Sequence, residues 1–289
     1  MKGIKGYKNH FFDIEWVCMK VPLILVWLRS FMYCLAEGYS VPIPLGICKL
    51  FDCSLFLQGS GLIFTIIFSL ALSVSYILDF QMKWVTLGVF LLSVLVFTSE
   101  ESSGTLNRNG ALSFLFLAQS FAYWLNGSNL LKLKQTRIQF SIETVTVGYF
   151  LSACSKLFDS GIWWPFDGSR ITLQVLKSFH HAYYTNLDAS QLAKAADVIQ
   201  FLNESQNMIV IVLTCALLLE FFALTAVINK IYGRIYGMAL LLMHIGIHYF
   251  MDILIISFVY PMIIVLINPF FLMVLFFNKG FKNMTLFLK

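Results

Sequence analysis

Long apolar runs separated by short polar breaks dominate this chain. They lie near residues 21–37, 59–79, 84–98, 110–126, 138–157, 206–229, 231–250 and 253–277. Most approach the roughly 20 residues that a helix needs to cross hydrocarbon at about 1.5 Å per residue. The pattern predicts an all-α fold, a polytopic transmembrane helical bundle of about eight spans. The third stretch is the least marked, and the pair from 231 to 277 admits a different division. The longest connection, about 158–205, separates the fifth and sixth stretches. Its first half, DSGIWWPFDGSR, reads as a turn-rich loop. In its second half Leu192, Ala195, Ile199 and Leu202 recur at helical spacing. Asp188 stands before them with Gln191 three residues on, a capping-box pattern in which Asp replaces Ser or Thr. This segment is predicted as an amphipathic helix lying on the membrane surface, where it could cover a site opening there. No linker, low-complexity tract or repeat divides the chain, so residues 1–289 read as a single integral membrane domain.

Composition makes the bilayer the solvent. Hydrophobic residues are 59% of the chain, and charged residues 12%, about half the ~25% of soluble domains. The opening MKGIKGYKNHFFDIEWVCMK is too polar for a secretory leader, and no small-residue cleavage site follows it. The net charge of +5 reflects membrane topology and not nucleic-acid binding. With the amino terminus inside, the inner segments hold thirteen basic residues: Lys2, Lys5, Lys8, Lys20, Lys83, Lys132, Lys134, Arg137, Lys230, Arg234, Lys279, Lys282 and Lys289. Only three acids, Asp13, Glu15 and Asp79, accompany them, whereas the outer segments hold five basic residues and ten acids. The asymmetry predicts both termini cytoplasmic, in a bacterial inner membrane, with the 158–205 connection outside. Six cysteines show no zinc-like grouping. Cys48 and Cys53 share one loop and could pair, but two separate thiols are the expectation.

Charge at membrane depth is costly, so ionisable residues within the spans are functional candidates. Arg29 interrupts the first, Glu143 lies in the fifth with Lys156 at its outer end, Glu220 sits in the sixth, and His244 in the seventh. Glu143 and Lys156 are thirteen residues apart on one helix, about 20 Å, and cannot pair. Tyr149, Ser152 and Lys156 share a stripe. Lys156 has two readings: a lysine snorkelling toward headgroups above Trp163 and Trp164, or an amine in a dry pocket that can act as a base. His244, His248 and Asp252 recur at i, i+4 and i+8 on one face. A transition metal could use such a pair, but a hydrogen-bonded polar stripe or a proton-transfer histidine fits better, and no metal is expected. His180 and His181 read as solvent-side loop residues. Asn107 and Asn109, before the fourth span, read as a turn and helix cap, or as amides near the level of Lys156.

Four motifs in order then resemble the HTTM family, the membrane domain shared with vitamin K-dependent gamma-glutamyl carboxylase. They are LVWLRSFMYCL, TLNRNGALSFLFLAQSF, YFLSACSKLFDSGIWW, and LLLEFFALTAVI followed by LLLMHIGIHYFMDILIISFVYPMII. The resemblance covers about residues 25–270. It implies a lysine base, matched by Lys156, that deprotonates a vitamin K hydroquinone on the outer side, with His244 as a buried pocket residue. Arg29, Asn107, Asn109, Tyr149, Ser152, Trp163, Trp164, Glu220 and His248 would line the cavity. Asn109 stands where the carboxylase has a histidine, which puts its proton-handling step in doubt. No large soluble domain follows the last span, so processive glutamate carboxylation is not expected of this chain alone.

The resulting expectation is a membrane protein with an outward-facing cavity. Its chemistry would be lysine-assisted base or redox work on a quinone-like lipid, or modification of a partner peptide. A quinone or hydroquinone is the candidate cofactor. Expected partners are membrane lipid and a periplasmic protein or peptide, with no nucleic acid. Two rivals are a non-catalytic membrane subunit that docks a periplasmic protein and, third, a small-molecule transporter.

Overall fold

A computed structural model describes residues 2–36, 43–102, 110–166, 168–251 and 256–277. Among these residues every regular element is helical. The helices are α1 (Lys2–Ala36), α2 (Ser54–Leu57), α3 (Gly59–Ile77), α4 (Met82–Ser102), α5 (Gly110–Asn126), α6 (Leu130–Ser160), α7 (Gly168–Asn186), α8 (Ser190–Glu204), α9 (Gln206–Phe221), α10 (Lys230–Met251), α11 (Ile256–Met262) and α12 (Pro269–Phe277). Each of the eight apolar stretches is therefore mostly helical where described. Among the described residues five segments are long and apolar enough to cross a membrane: Phe12–Ala36, Gly59–Ile77, Met82–Ser102, Gln206–Val227 and Phe258–Phe277. Helix α5 has 17 residues, about 25 Å of rise. Helices α6 and α10 have the length, at 31 and 22 residues, but carry more polar side chains.

The chain forms two compact units. The first holds the described residues up to Val145, the stretch Asn229–Ile231 and the described residues from Ile256 onward. Its packing begins on α1, where Trp16, Met19, Leu23, Ile24, Trp27 and Phe31 recur every three or four residues and are all buried. The same helix exposes Val17, Leu25 and Met32, the outward apolar face expected where lipid replaces water. Trp27 stacks on Phe31 at 4.9 Å and meets Phe116 edge-on at 6.1 Å, and Phe116 meets Tyr76 edge-on at 5.5 Å. Between apolar helices, buried hydrogen bonds add direction. Trp27 Nε1 donates to Ser93 Oγ at 2.6 Å. Tyr76 Oη donates to Gln119 Oε1 at 2.7 Å, and Gln119 Nε2 donates to Ser141 Oγ at 3.1 Å, linking α3, α5 and α6.

Two local devices shape this unit. A tight reversal joins α3 to α4, with Asp79 and Gln81 at positive φ (55° and 46°), and it delivers the Asp79 carboxylate to Lys20 and Trp16 of α1. A π-helical turn, Ile263–Ile267, follows α11 and is closed by Asn268 in the left-handed region. Asn268 accepts from the Phe271 amide at 3.2 Å and donates to the Glu15 carbonyl at 3.2 Å. In the α1–α3 connection Cys48 and Cys53 form a disulfide, with Cα atoms 5.4 Å apart. This corrects the expectation of two separate thiols. A 3-10 turn, Gly46–Lys49, and the short α2 bring the two sulfurs together, which a spacing of five residues does not reveal.

The second unit spans Thr146–Ile228 and Tyr232–Ile255, of which residues up to 251 are described, apart from residue 167. The 158–205 connection is more helical than its sequence suggests. Helix α6 continues to Ser160, a 3-10 turn covers Gly161–Phe166, and α7 occupies residues expected to be loop. His180 and His181 therefore lie on a helix, not in a loop. Helix α8 forms as expected, but its apolar stripe is used by protein. Ala195 and Leu202, with Val198 and Ile199 beside them, pack on Val175 and Phe179 of α7 and Ile209 of α9. The expected capping box does not form: Ala189 holds the N-cap position with no side-chain cap hydrogen bond, and the Asp188 carboxylate one residue earlier accepts from the Ser190 amide at 3.0 Å, the Ser190 hydroxyl at 2.7 Å and the Gln191 side chain at 3.2 Å.

Candidate functional site

The chemistry-bearing residues of the second unit meet along one face of α6. Tyr149, Ser152 and Lys156 stand at i, i+3 and i+7, so a helix of 3.6 residues per turn stacks them on one side. Helix α9 presents Glu220 to this face. Lys156 Nζ makes a close ion pair with Glu220 Oε2, and Ser152 Oγ donates to the same oxygen at 3.4 Å. Helix α10 presents His244, whose Nε2 lies 2.8 Å from Tyr149 Oη, with the rings 5.7 Å apart. Phe150 on α6 packs against Phe221 on α9 at 5.4 Å, holding the two helices together next to the ion pair.

The turn after α6 completes the arrangement. Gly161 has φ +64°, the left-handed conformation that ends helices and favours glycine. The chain then reverses through the 3-10 turn and carries Trp164 back over Lys156, whose Nζ sits 4.9 Å from the ring centroid. Pro165 is buried and Trp163 exposed. Trp163 instead meets Phe166 edge-on at 5.6 Å. The apparent break in the sequence is therefore the segment that lays an aromatic ring on the lysine.

The two charges differ in burial. The Glu220 side chain is 7% exposed and that of Lys156 26%. A buried carboxylate is tolerated only with a cation and further donors, and Lys156 and Ser152 supply these. Around Lys156 Nζ stand a carboxylate, a hydroxyl-bearing helix face and an indole. Tyr149 and His244, both buried, are hydrogen-bonded to each other two turns back along α6.

Of the residues singled out from sequence, the structure gathers Lys156, Ser152, Glu220 and Trp164 into one contact set, and Tyr149 with His244 into another. His248 lies one turn along α10 from His244, with an exposed side chain. Arg29 belongs to the first unit and is exposed on α1. Glu143 accepts from Gln139 on its own helix at 2.9 Å. Asn107, Asn109 and Asp252 lie outside the described residues, and among the described residues no group of three metal-binding side chains converges. Sequence alone assigns Lys83, Lys134 and Arg137 only a topological role, whereas the structure sets them around one cleft of the first unit. Comparison of the chain with protein-family models, curated proteins and solved structures returns no match.

Proposed function

We propose that this chain is an integral membrane protein of HTTM-like type whose second unit holds and moves protons for chemistry on a lipid-soluble, quinone-like molecule. One observation carries the reading: Lys156 on α6 and Glu220 on the apolar α9 form a close pair, flanked by Ser152, Tyr149, His244 and Trp164. Ionisable pairs kept within spans mark pathways and sites more often than they mark stability. The donor set suits a quinone-like ring. Trp164 offers an aromatic face, Lys156 Nζ can donate to a carbonyl oxygen, and Glu220 can accept from a hydroxyl. Transfer of a proton from Lys156 to Glu220 converts the ion pair to a neutral amine and a neutral carboxyl, so a proton can pass between the two with no change in the net charge of the pair. His244 and Tyr149 provide a second exchangeable proton on the same face of α6.

The outward orientation draws support from two observations. Disulfides persist in oxidising compartments, and Cys48–Cys53 lies by the far end of α4, where Cys48 Sγ is 3.4 Å from Ser99 Oγ. At the near end of α4 the inner acids meet inner bases: Asp79 with Lys20, Asp13 with Lys134, and Glu15 with Lys230. Helix α6 starts among these bases, which include its own Lys134. In this reading all eight apolar stretches span, both termini are cytoplasmic, the membrane is a bacterial inner one, and α7 with α8 lies at the outer surface over the site.

The test is titration of the purified chain with menadione, read by quenching of tryptophan fluorescence. Binding weakened at least tenfold by Lys156→Ala and by Glu220→Gln, but unchanged by His248→Ala, supports the reading. Binding indifferent to Lys156 and Glu220, or no binding, sinks it. The engagement of Lys156 by Glu220 and Trp164 favours one alternative, a non-catalytic subunit in which the pair only fastens α6 to α9. A stoichiometric periplasmic partner retained by a functionally inert Lys156→Ala variant would select that alternative.

A further inference from the structure

We propose that the first unit carries a separate binding site for a phosphate-bearing anion, in a cleft between α1, the α3–α4 turn, α5 and the start of α6. The cleft has a volume of about 600 Å³, within the roughly 300–1,000 Å³ usual for ligand sites. Its wall includes Lys83, Lys134, Arg137, Asp13, Asp79 and Tyr123. Asp79 is already neutralised from behind by Lys20, which also donates to the Ile77 carbonyl at 2.8 Å. That leaves Asp13 alone against three cations, a local surplus of two positive charges.

Arg137 shows that the set is incomplete. Its side chain is 9% exposed. One terminal nitrogen donates to Tyr123 Oη at 3.3 Å, the other lies 3.8 Å from Asp13 Oδ1, and the guanidinium covers the Trp16 ring at 4.2 Å. Its Nε is buried with no hydrogen-bond partner among the described residues. A buried, unmet guanidinium donor is costly. An oxyanion that accepts from Nε and a terminal nitrogen together would satisfy it, in the fork geometry by which arginine binds phosphate. Asp13 does not take that role, because Lys134 holds its other oxygen at 2.6 Å.

Lys83 supplies the mouth. Among the described residues it makes no ion pair; its Nζ lies 3.4 Å from the Trp124 centroid and 5.3 Å from that of Trp84. Tryptophans with a lysine between them suit the headgroup layer. A ligand with phosphate at Arg137 and Lys134 and an apolar body along the exposed helix faces is an anionic phospholipid. A free phosphate compound has the same recognition chemistry without the body.

The test uses the full chain in detergent, followed by thermal unfolding. One arm adds phosphatidylglycerol, a second adds phosphatidylcholine, and a third adds inorganic phosphate without lipid. Stabilisation by phosphatidylglycerol and not phosphatidylcholine, with apparent affinity at least tenfold weaker in Arg137→Gln and Lys83→Gln, establishes a lipid headgroup site. Stabilisation by inorganic phosphate with the same dependence establishes a soluble phosphate site. Lys83→Gln keeps the test decisive should Arg137→Gln fail to fold, since Lys83 holds no carboxylate. No stabilisation by either anion, or stabilisation that both variants leave intact, overturns the proposal.

Discussion

Lys156 and Glu220 are sixty-four positions apart in sequence, and the energetics of each depend on the other. Removing the lysine leaves a carboxylate whose side chain is 7% exposed with, among the described residues, only Ser152 to satisfy it, at a cost of about 3 kcal/mol. Removing both charges with apolar residues of similar volume leaves nothing stranded, and such replacements are often neutral. Thermal unfolding should therefore rank Lys156→Met as much less stable than Lys156→Met combined with Glu220→Leu. A double variant no better than the single would show that the two residues do not couple. Tyr149→Phe should cost about 1 kcal/mol by removing the hydroxyl bound to His244. The helical period of the sequence already placed Tyr149, Ser152 and Lys156 on one stripe. It could not name Glu220 as the partner, because helix periodicity says which residues share a face and not which helix that face meets.

Helix α7 shows the same limit from the other direction. Ile171, Val175 and Phe179 recur at four-residue intervals and pack on α8, so the signal was present. Charged, histidine and tyrosine residues around it, and the turn residues before it, gave the stretch the look of a loop. Helix α8 was legible because Asp188 and Gln191 announce its start. At that junction Asp188 is held below its ordinary carboxylate range, first by the Ser190 hydroxyl and then by the Ser190 amide. A folded carboxyl depressed in this way contributes order that is complete above its unfolded value, about 3.9, and is lost as pH falls through the folded one. The α7–α8 junction should thus hold steady from about pH 8 to pH 5 and loosen only below about pH 4. Asp188→Ala should remove that acid dependence and raise amide exchange at residues 190–193 already at neutral pH, measured by hydrogen–deuterium exchange. An unchanged exchange pattern would mean that packing on α7 and α9, not the cap, fixes the start of α8.

For the whole molecule, the charge asymmetry of the sequence and the chemistry of the structure bear separately on orientation. The sequence asymmetry counts side chains, most of which need no partner. The structure adds that Asp13, Glu15 and Asp79 all pair with bases of the same end, and that the disulfide connection meets α4 at Ser99 and Ser102, the latter twenty residues from its start. Twenty residues of helix are about 30 Å, the thickness of the hydrocarbon core. If basic clusters stay inside and disulfides form outside, the two ends should face different compartments. A variant whose only cysteines are Cys48 and Cys53 should resist a membrane-impermeant maleimide in intact cells until an impermeant reductant is added, and then label fully. The exposed Lys132, at the start of α6, gives the opposite reporter: Lys132→Cys in a background lacking other cysteines should label only after permeabilisation. Labelling of both positions from one side would place the disulfide and the basic cluster in one compartment. That result would overturn the orientation read from the charge asymmetry, whereas reciprocal labelling would set the Cys48–Cys53 end of α4 on the oxidising side and its basic end on the other.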